Sequence, residues 1–155
     1  MENRIGEDDY KKILEYMPIV CVDIVIVHKD KALLVLRNNN PAKGQWWLVG
    51  GRILKGERLE EAVKRKAFEE TGLSVSVRKK IGFYETIFQD GPFSSIKGGV
   101  HTINVCFLAK CLDKHPKVRM DKTSKDYKWI DALDCSLPTY PQQVLKDAGV
   151  FADEK

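Results

Sequence analysis

The residues best suited to chemistry lie in one stretch, where a glycine-containing loop leads into a helical segment that ends in paired carboxylates. Gly51 opens the loop, Glu57 follows it, and Glu69 and Glu70 close the helical part. The loop brings Glu57 near the start of the helix, where an acidic residue suits the helix dipole. Converging carboxylates favour Mg²⁺, which prefers oxygen ligands and partners phosphates. Glu57, Glu69 and Glu70 are therefore predicted to hold Mg²⁺, with Mn²⁺ as the alternative ion.

Two arginines in the same stretch, Arg52 and Arg65, are predicted to clamp phosphate oxygens. The whole chain carries a formal charge of +4, a modest and unclustered surplus that favours a small anionic ligand over a nucleic acid. Judged on composition alone, the segment also fits an amphipathic surface helix whose charges are simply solvated.

The helix that must position these residues is predicted over residues 59–71. One apolar stripe runs along it, and Gly72 ends it because glycine accepts the left-handed conformation. The stripe consists of Leu59, Ala62, Val63, Ala67 and Phe68.

Periodicity predicts the remaining elements of a single mixed α/β domain over residues 1–155. Helices are expected at 8–17 and 141–148, and strands at 19–27, 31–37, 46–49, 73–88, 100–111 and 128–130. Trp46 and Trp47 alternate across their strand, so one is expected in the core and the other at the ligand. Trp46 is assigned to the ligand.

Composition excludes several classes of protein. The chain has 155 residues, 43% hydrophobic and 31% charged, which is typical of a soluble globular domain. It contains no apolar run of membrane-spanning length, and Met1-Glu2-Asn3-Arg4 does not resemble a secretory signal. We therefore expect a cytoplasmic protein with no membrane partner. The four cysteines show no metal-binding spacing, and Cys21, Cys106 and Cys111 lie in apolar stretches as expected for reduced thiols.

Taken as an ordered pattern, the segment resembles the Nudix box. The matching positions are Gly51, Glu57, Arg65, Glu69, Glu70, Gly72 and Leu73. Lys66 departs from the box, which normally has glutamate directly after the arginine. The resemblance implies an α/β/α sandwich around a mixed sheet, and divalent-metal-dependent hydrolysis of a nucleoside diphosphate linked to another group.

One branch of that superfamily, the GDP-mannose mannosyl hydrolases, also lacks this glutamate and cleaves at the sugar carbon. The chain is similar to it at residues 18–23, 34–47 and 126–130. The branch implies substrate or phosphate contacts from Asp23, Arg37, Arg52 and Arg65. It also implies one metal ion at Glu70 and a backbone carbonyl of Gly50 or Gly51. We therefore assign catalysis to Arg37, Arg52, Arg65 and Glu70.

The branch's catalytic groups are matched only in part. Its general-base histidine corresponds to Ser124, the glutamine before it to Thr123, and a catalytic tyrosine to Thr102. A serine is a poor proton acceptor at neutral pH without its own base. His101 is a candidate substitute base, and Glu85 a candidate additional metal ligand.

Three functions remain open at this point. The leading one is Mg²⁺-dependent hydrolysis of a nucleoside diphosphate sugar such as GDP-mannose or GDP-glucose, releasing the nucleoside diphosphate and the sugar. The second is a pyrophosphatase that attacks phosphorus in ADP-ribose, another nucleotide sugar or a nucleoside triphosphate. The third is a nucleotide sensor that does not hydrolyse its ligand. A homodimer is expected, because the apolar face of the first helix needs a partner and the related branch is dimeric.

Overall fold

The computed structural model describes residues 4–151, which form three helices and seven strands. The outermost residues of the predicted 1–155 domain lie outside the described residues, among them Met1, Glu2 and Asn3, on which the expectation of no secretory signal rested. In chain order the elements are α1 (Glu7–Tyr16), β1 (Ile19–His28), β2 (Lys31–Arg37), β3 (Trp46–Trp47), β4 (Val49–Arg52), α2 (Leu59–Thr71), β5 (Val75–Phe88), β6 (Val100–Cys111), β7 (Ser124–Ile130) and α3 (Thr139–Ala148).

All seven strands join one mixed sheet with β1 near its centre. The order is β3-β2-β1-β6-β5, with β4 paired to β1 and β7 paired to β2. Strands β1 and β6 run parallel, from the pair Ile19 and Thr102 to the pair Val27 and Lys110, and the other pairs are antiparallel. A parallel pair needs a long crossover, and here the intervening chain supplies β2 to β5 and α2.

The two faces of the sheet carry different helices, as alternate residues of β1 show. Val22, Ile24 and Ile26 are fully buried in the core that includes residues of α2. Val25, on the opposite face, is buried with residues of α3. The predicted α/β/α sandwich around a mixed sheet is therefore confirmed.

The helix that matters most, α2, has the bounds that its apolar stripe predicts. At its start the Glu61 carboxylate accepts a hydrogen bond from the Arg58 backbone N–H at 3.0 Å. At its end Gly72 has φ 72°, and its N–H donates to the Phe68 carbonyl. Phe68 itself is 57% exposed, so the buried stripe is narrower than predicted.

Other boundaries differ in ways that affect the site. The predicted strand 46–49 is divided at Leu48 into β3 and β4, and β4 continues through Gly50 and Gly51 to Arg52. Strand β7 begins at Ser124, before the predicted residue 128, and α3 begins at Thr139, before the predicted residue 141. Hydrogen bonding to β2 extends β7.

The first helix covers its apolar face within the chain. Leu14 is buried. The Tyr10 ring packs edge-on against Phe93, and the Arg52 guanidinium lies over the Tyr10 ring. The face that suggested a dimer is thus largely occupied, although Tyr16 and Met17 remain exposed. The homodimer stays a prediction. No helix among residues 4–151 has the length and apolar character needed to cross a membrane.

Candidate functional site

Arg65 organises one side of α2 into a closed cluster of charges. Its Nε and Nη2 donate to both carboxylate oxygens of Glu57, at 2.6 and 2.9 Å. Its Nη1 donates to Glu69 at 3.2 Å, and Nη2 also donates to the Arg52 carbonyl at 3.1 Å. The hydrogen bonds from Arg65 hold the pKa of Glu57 below its usual value. This Arg65 cluster (Glu57, Arg65 and Glu69) fastens the glycine loop to the helix.

The closed cluster changes the interpretation of two predicted site residues. Every guanidinium nitrogen of Arg65 already has a partner, and Arg65 does not line the cavity described below, so this arrangement offers no phosphate clamp there. Glu57 is held in the same way, with an additional hydrogen bond from the Leu54 N–H. Both residues therefore position the loop in this structure.

A cavity of about 380 Å³ lies on the other side of the glycine loop, on the sheet face that carries α3. It contains five of the predicted site residues: Asp23, Arg37, Gly51, Arg52 and Glu70. Glu57, Arg65, Glu69 and Trp46 are not among its lining residues. The structure thus divides the predicted site into two neighbouring parts.

Glu70 faces the cavity from the last turn of α2. It is 7% exposed, and one carboxylate oxygen accepts the Gly50 N–H at 3.0 Å. The other oxygen lies 3.5 Å from Lys66 Nζ. Burial raises the pKa of Glu70 to about 7, against the opposing effects of Lys66 and the Gly50 N–H. This carboxylate keeps lone pairs available on the cavity side.

The two glycines of β4 allow their neighbours to approach closely, strand β1 at Gly50 and helix α2 at Gly51. A Cβ atom on Gly50 would lie 2.1 Å from Asp23 Oδ1, and one on Gly51 would lie 2.6 Å from Lys66 Cε. A side chain at either position would therefore push apart the residues that line the cavity.

Arg52 and Arg37 bring positive charge to the cavity wall. The Nη1 atom of Arg52 is buried and has no hydrogen-bond partner in the described part of the chain, and the guanidinium lies 4.2 Å from the Tyr10 ring centroid. Arg37 donates from Nε to the Pro41 carbonyl at 2.7 Å. An unsatisfied buried donor is costly, so Arg52 is suited to an anionic ligand.

Asp23 is paired with a residue that the sequence analysis did not identify. Tyr140 donates its hydroxyl hydrogen to Asp23 Oδ2, and Cys106 Sγ lies 3.3 Å from the same phenol oxygen. Burial raises the pKa of Asp23 to about 6, although the Tyr140 hydrogen bond and Arg37 oppose the shift. Asp23 therefore offers a carboxylate already held in one orientation.

The aromatic wall of the cavity consists of Trp47, Phe88 and Tyr140. Trp47 lies 5.9 Å from Phe88 and 5.4 Å from Tyr140, measured between ring centroids. Trp46, which the sequence analysis assigned to the ligand, does not line the cavity. It packs against the same apolar core as Trp47, and its ring centroid lies 4.4 Å from Lys128 Nζ. Strand alternation separates the two rings but cannot say which face holds the cavity.

The candidate substitute base, His101, and the candidate additional metal ligand, Glu85, lie outside the cavity. His101 Nε2 pairs with Glu85 Oε2 at 3.0 Å on a half-exposed part of strands β5 and β6, and neither residue lines the cavity. Thr123 does line the cavity, while Ser124 is buried at the start of β7.

Polar residues of β5 and β6 that were not predicted as site residues also line the cavity, namely Thr86, Thr102 and Asn104. Asn104 donates from Nδ2 to Thr86 Oγ1 at 3.3 Å, and Thr102 Oγ1 donates to Asn104 Oδ1 at 2.9 Å. The alternation of Thr102 and Asn104 along β6 was visible in the sequence, but nothing local indicated which face would border the cavity. Tyr140 gave no signal either, because the final helix was expected to begin one residue later.

The residues that could hold a divalent ion are fewer than predicted. Among residues 4–151, no group of three or more His, Cys, Asp or Glu side chains is placed to hold one metal ion. Glu70 is nevertheless buried at the cavity next to the Gly50–Gly51 backbone, and Glu69 precedes it on the same turn. This donor set fits one oxygen-liganded ion completed by substrate and water.

Comparisons with known proteins agree with this architecture. The family model described as NUDIX domain matches residues 17–148. ADP-ribose pyrophosphatase of Methanocaldococcus jannaschii is 36% identical over 144 residues, covering 92% of this chain and 80% of the relative. Low-salt glycan biosynthesis protein Agl8 of Haloferax volcanii is 37% identical over 93 residues, which is 60% of each chain.

A solved structure gives the same result for the fold. The MutT NUDIX hydrolase of Burkholderia pseudomallei superposes with a TM-score of 0.70 at 25% identity, covering 84% of this chain and 98% of that one. Since the family model covers most of the chain and the folded elements agree, the chain belongs to the NUDIX domain family and is a Nudix hydrolase.

Proposed function

We propose that this Nudix hydrolase acts on a nucleoside diphosphate sugar, with Mg²⁺ as cofactor, and releases the nucleoside diphosphate and the free sugar. GDP-mannose and GDP-glucose are the first substrates to test. The observation that carries the proposal is the lining of the cavity, which combines three basic side chains with a group of aromatic rings. The basic residues are Arg37, Arg52 and Lys66, and the rings are those of Trp47, Phe88 and Tyr140. A diphosphate between a planar base and a sugar matches that distribution of charge and apolar surface.

The diphosphate is assigned to Arg52 and Arg37. Arg52 brings a buried Nη1 donor that lacks a hydrogen-bond partner within residues 4–151. Its ring contact with Tyr10 holds the guanidinium in place, so little side-chain freedom is lost on binding. Preformed donors aimed at a leaving group stabilise the charge that develops on it as the bond breaks.

The aromatic wall and the Asp23–Tyr140 pair are assigned to the remaining parts of the substrate. Trp47 and Phe88 offer apolar surface against which a base or a sugar ring can pack. Asp23 accepts hydrogen bonds, and Tyr140 fixes its orientation. A carboxylate held this way selects donors such as sugar hydroxyls or the amino groups of a base.

One Mg²⁺ ion is assigned to Glu70, with Glu69 and the Gly51 carbonyl as its further protein ligands. When bound, the ion neutralises charge on the diphosphate and so improves it as a leaving group. Glu57 is left out because Arg65 and the Leu54 N–H already engage both of its oxygens. The chain's own contribution is to orient the diphosphate between Glu70 and the two arginines.

Attack at the sugar carbon follows from the residue at position 66. The Nudix box normally has a glutamate there that ligates metal or activates water, and a lysine does neither. Cleavage of the bond between the sugar carbon and the phosphate oxygen depends chiefly on stabilising the departing diphosphate, which places less demand on a strong base. Agl8 is named for glycan biosynthesis, a process that uses activated sugars, and this also supports a nucleotide-sugar substrate.

A second candidate function is supported by one comparison. The Methanocaldococcus jannaschii relative is named an ADP-ribose pyrophosphatase. In that case water would attack phosphorus, and the products would be a nucleoside monophosphate and a sugar phosphate.

Hydrolysis in ¹⁸O-labelled water tests the proposal directly. A panel of GDP-sugars, ADP-ribose and other nucleotide sugars is incubated with the protein and Mg²⁺. The products are separated by chromatography, and mass spectrometry identifies which of them contains ¹⁸O. We expect the label on the sugar hydroxyl, with unlabelled nucleoside diphosphate. Label in a phosphate would establish the second candidate instead. Nucleotide binding without turnover at high protein concentration would contradict both and indicate a sensor.

A further inference from the structure

Lys66 lies beside all three residues assigned to the metal ion, Gly51, Glu69 and Glu70. Its stem crosses Gly51, since a Cβ atom built on that glycine would lie 2.6 Å from Lys66 Cε and 3.1 Å from Nζ. The ammonium group lies 3.5 Å from a carboxylate oxygen of Glu70 and 3.5 Å from one of Glu69. Its side chain is 16% exposed and lines the same cavity as Arg37 and Arg52.

We propose that Lys66 is a tethered counter-ion that competes with the divalent ion for Glu70, and that the substrate diphosphate draws it away. Metal ion and nucleotide would then bind cooperatively, each weakly alone and tightly together. This inference rests on the proposed metal role of Glu70, and it adds a mechanism that regulates when the metal site becomes available.

The balance of charge favours this coupling. In the Arg65 cluster, Glu57 and Glu69 face Arg65, which bonds to both of them. The only basic side chain within ion-pair distance of Glu70, in the part of the chain that the structure describes, is Lys66. A divalent ion entering beside that ammonium group meets a like charge a few ångströms away, at a site shielded from solvent.

The contacts of Lys66 are weak enough for its ammonium group to move away from Glu69 and Glu70. Both N–O distances are 3.5 Å, longer than the roughly 2.8 Å of a strong charge-assisted hydrogen bond. Lysine is a point charge on a flexible four-carbon stem, so its amine can rotate without moving the helix. A diphosphate held by Arg37 and Arg52 would present new anionic oxygens to the amine within the same cavity.

Mn²⁺ binding measured by electron paramagnetic resonance tests the inference without any turnover. The variants are Lys66→Met, which keeps the length of the stem and removes its charge, and Lys66→Gln as a second neutral variant. The matched control is Lys64→Met, because Lys64 is an exposed lysine two residues earlier on the same helix. Each protein is titrated with Mn²⁺ alone and with saturating GDP, after subtraction of a protein-free Mn²⁺–GDP blank.

Without nucleotide, we expect both Lys66 variants to bind Mn²⁺ at least about tenfold more tightly than the wild type, and Lys64→Met to stay within about twofold. Saturating GDP should then increase the Mn²⁺ affinity of the wild type more than that of the Lys66 variants. Equal or weaker Mn²⁺ binding by folded Lys66 variants would overturn the inference, as would an equal effect of GDP on all proteins. The ¹⁸O experiment fails or succeeds separately, because it depends on which bond breaks and not on Mn²⁺ affinity in the free protein.

Discussion

Arg65 and Lys66 are consecutive residues of α2, yet they belong to regions with opposite properties. Arg65 lies in a closed cluster where each guanidinium nitrogen already has a partner. Lys66 faces the cavity, where its contacts are long and Arg52 has a buried donor without a hydrogen-bond partner among the described residues. Successive residues of a helix point about 100° apart, which is enough to separate the two regions.

A single sequence motif can therefore contain residues that stabilise a loop and residues that bind ligands. In the Arg65 cluster, Arg65 and Glu57 satisfy each other's charges, so this pair contributes chiefly to the stability of the loop. The cavity region leaves charges incompletely satisfied, which is what binding an anionic ligand and a cation requires. Substitutions in the two regions should therefore affect different measurements.

The largest contrast is expected between Glu70→Gln and Glu57→Gln. Glu70→Gln should lower kcat about 1,000-fold or more, because a neutral amide is a poor replacement for an anionic ligand and metal ions contribute several kcal/mol. Glu57→Gln should instead lower the free energy of unfolding by about 2 kcal/mol, since it weakens charge-assisted hydrogen bonds to Arg65. Steady-state kinetics and urea denaturation of both variants measure the two effects.

Glu69→Gln completes that experiment. Glu69 bonds to Arg65 and lies beside Lys66, so with a single metal ion its loss should reduce kcat less than the loss of Glu70. Equal and nearly complete losses for Glu69→Gln and Glu70→Gln would instead indicate several metal ions and attack at phosphorus.

A smaller contrast is expected between two arginine-to-lysine substitutions. Arg52→Lys should lower kcat by roughly 10- to 100-fold with a lesser rise in KM, because lysine lacks the planar fork that holds a developing diphosphate. Arg65→Lys should chiefly lower the free energy of unfolding, by roughly 1 to 2 kcal/mol, since it removes hydrogen bonds inside the closed cluster. An effect of Arg52→Lys on KM alone would mean that this arginine binds only the ground state.

The smallest effect concerns pH and the Asp23–Tyr140 pair. Burial raises the pKa of Asp23 to about 6 in the folded chain, above its usual value of 3.8. The folded state therefore binds a proton that the unfolded state has lost, and this carboxyl makes stability fall as pH rises from about 4 to about 6. The Tyr140 hydrogen bond lowers that pKa, so Tyr140→Phe should increase the fall.

We expect Tyr140→Phe to cost about 1 kcal/mol of unfolding free energy at pH 8 and less at pH 4.5, in metal-free buffer. Urea denaturation at the two pH values measures the difference. Tyr84→Phe is the control, because its phenol also hydrogen-bonds a carboxylate, Asp147, but on the exposed surface. A loss for Tyr140→Phe that is the same at both pH values would show that Asp23 does not ionise as described.

The sequence by itself determined the local structure and the identity of the family. The bounds of α2 followed from an apolar stripe and a terminal glycine, because both are properties of neighbouring residues. The strand bounds of β2 and β6 followed in the same way from runs of β-favouring residues. The order of Gly51, Glu57, Arg65, Glu69 and Glu70 was enough to indicate the Nudix family, and Lys66 was visible as its departure.

Only the tertiary structure decided which of these residues share the cavity. Asp23 meets Tyr140, which lies 117 residues away in the chain, and no local pattern contains information about such a contact. Trp47 rather than Trp46 borders the cavity, where it packs against Phe88 of β5 and Tyr140 of α3, both far along the chain. Arg65 turned from a predicted phosphate clamp into the centre of a closed cluster because the glycine loop folds back and places Glu57 beside it. Spacing determines which face of a helix a residue occupies, but the residues that it contacts on that face come from distant parts of the sequence.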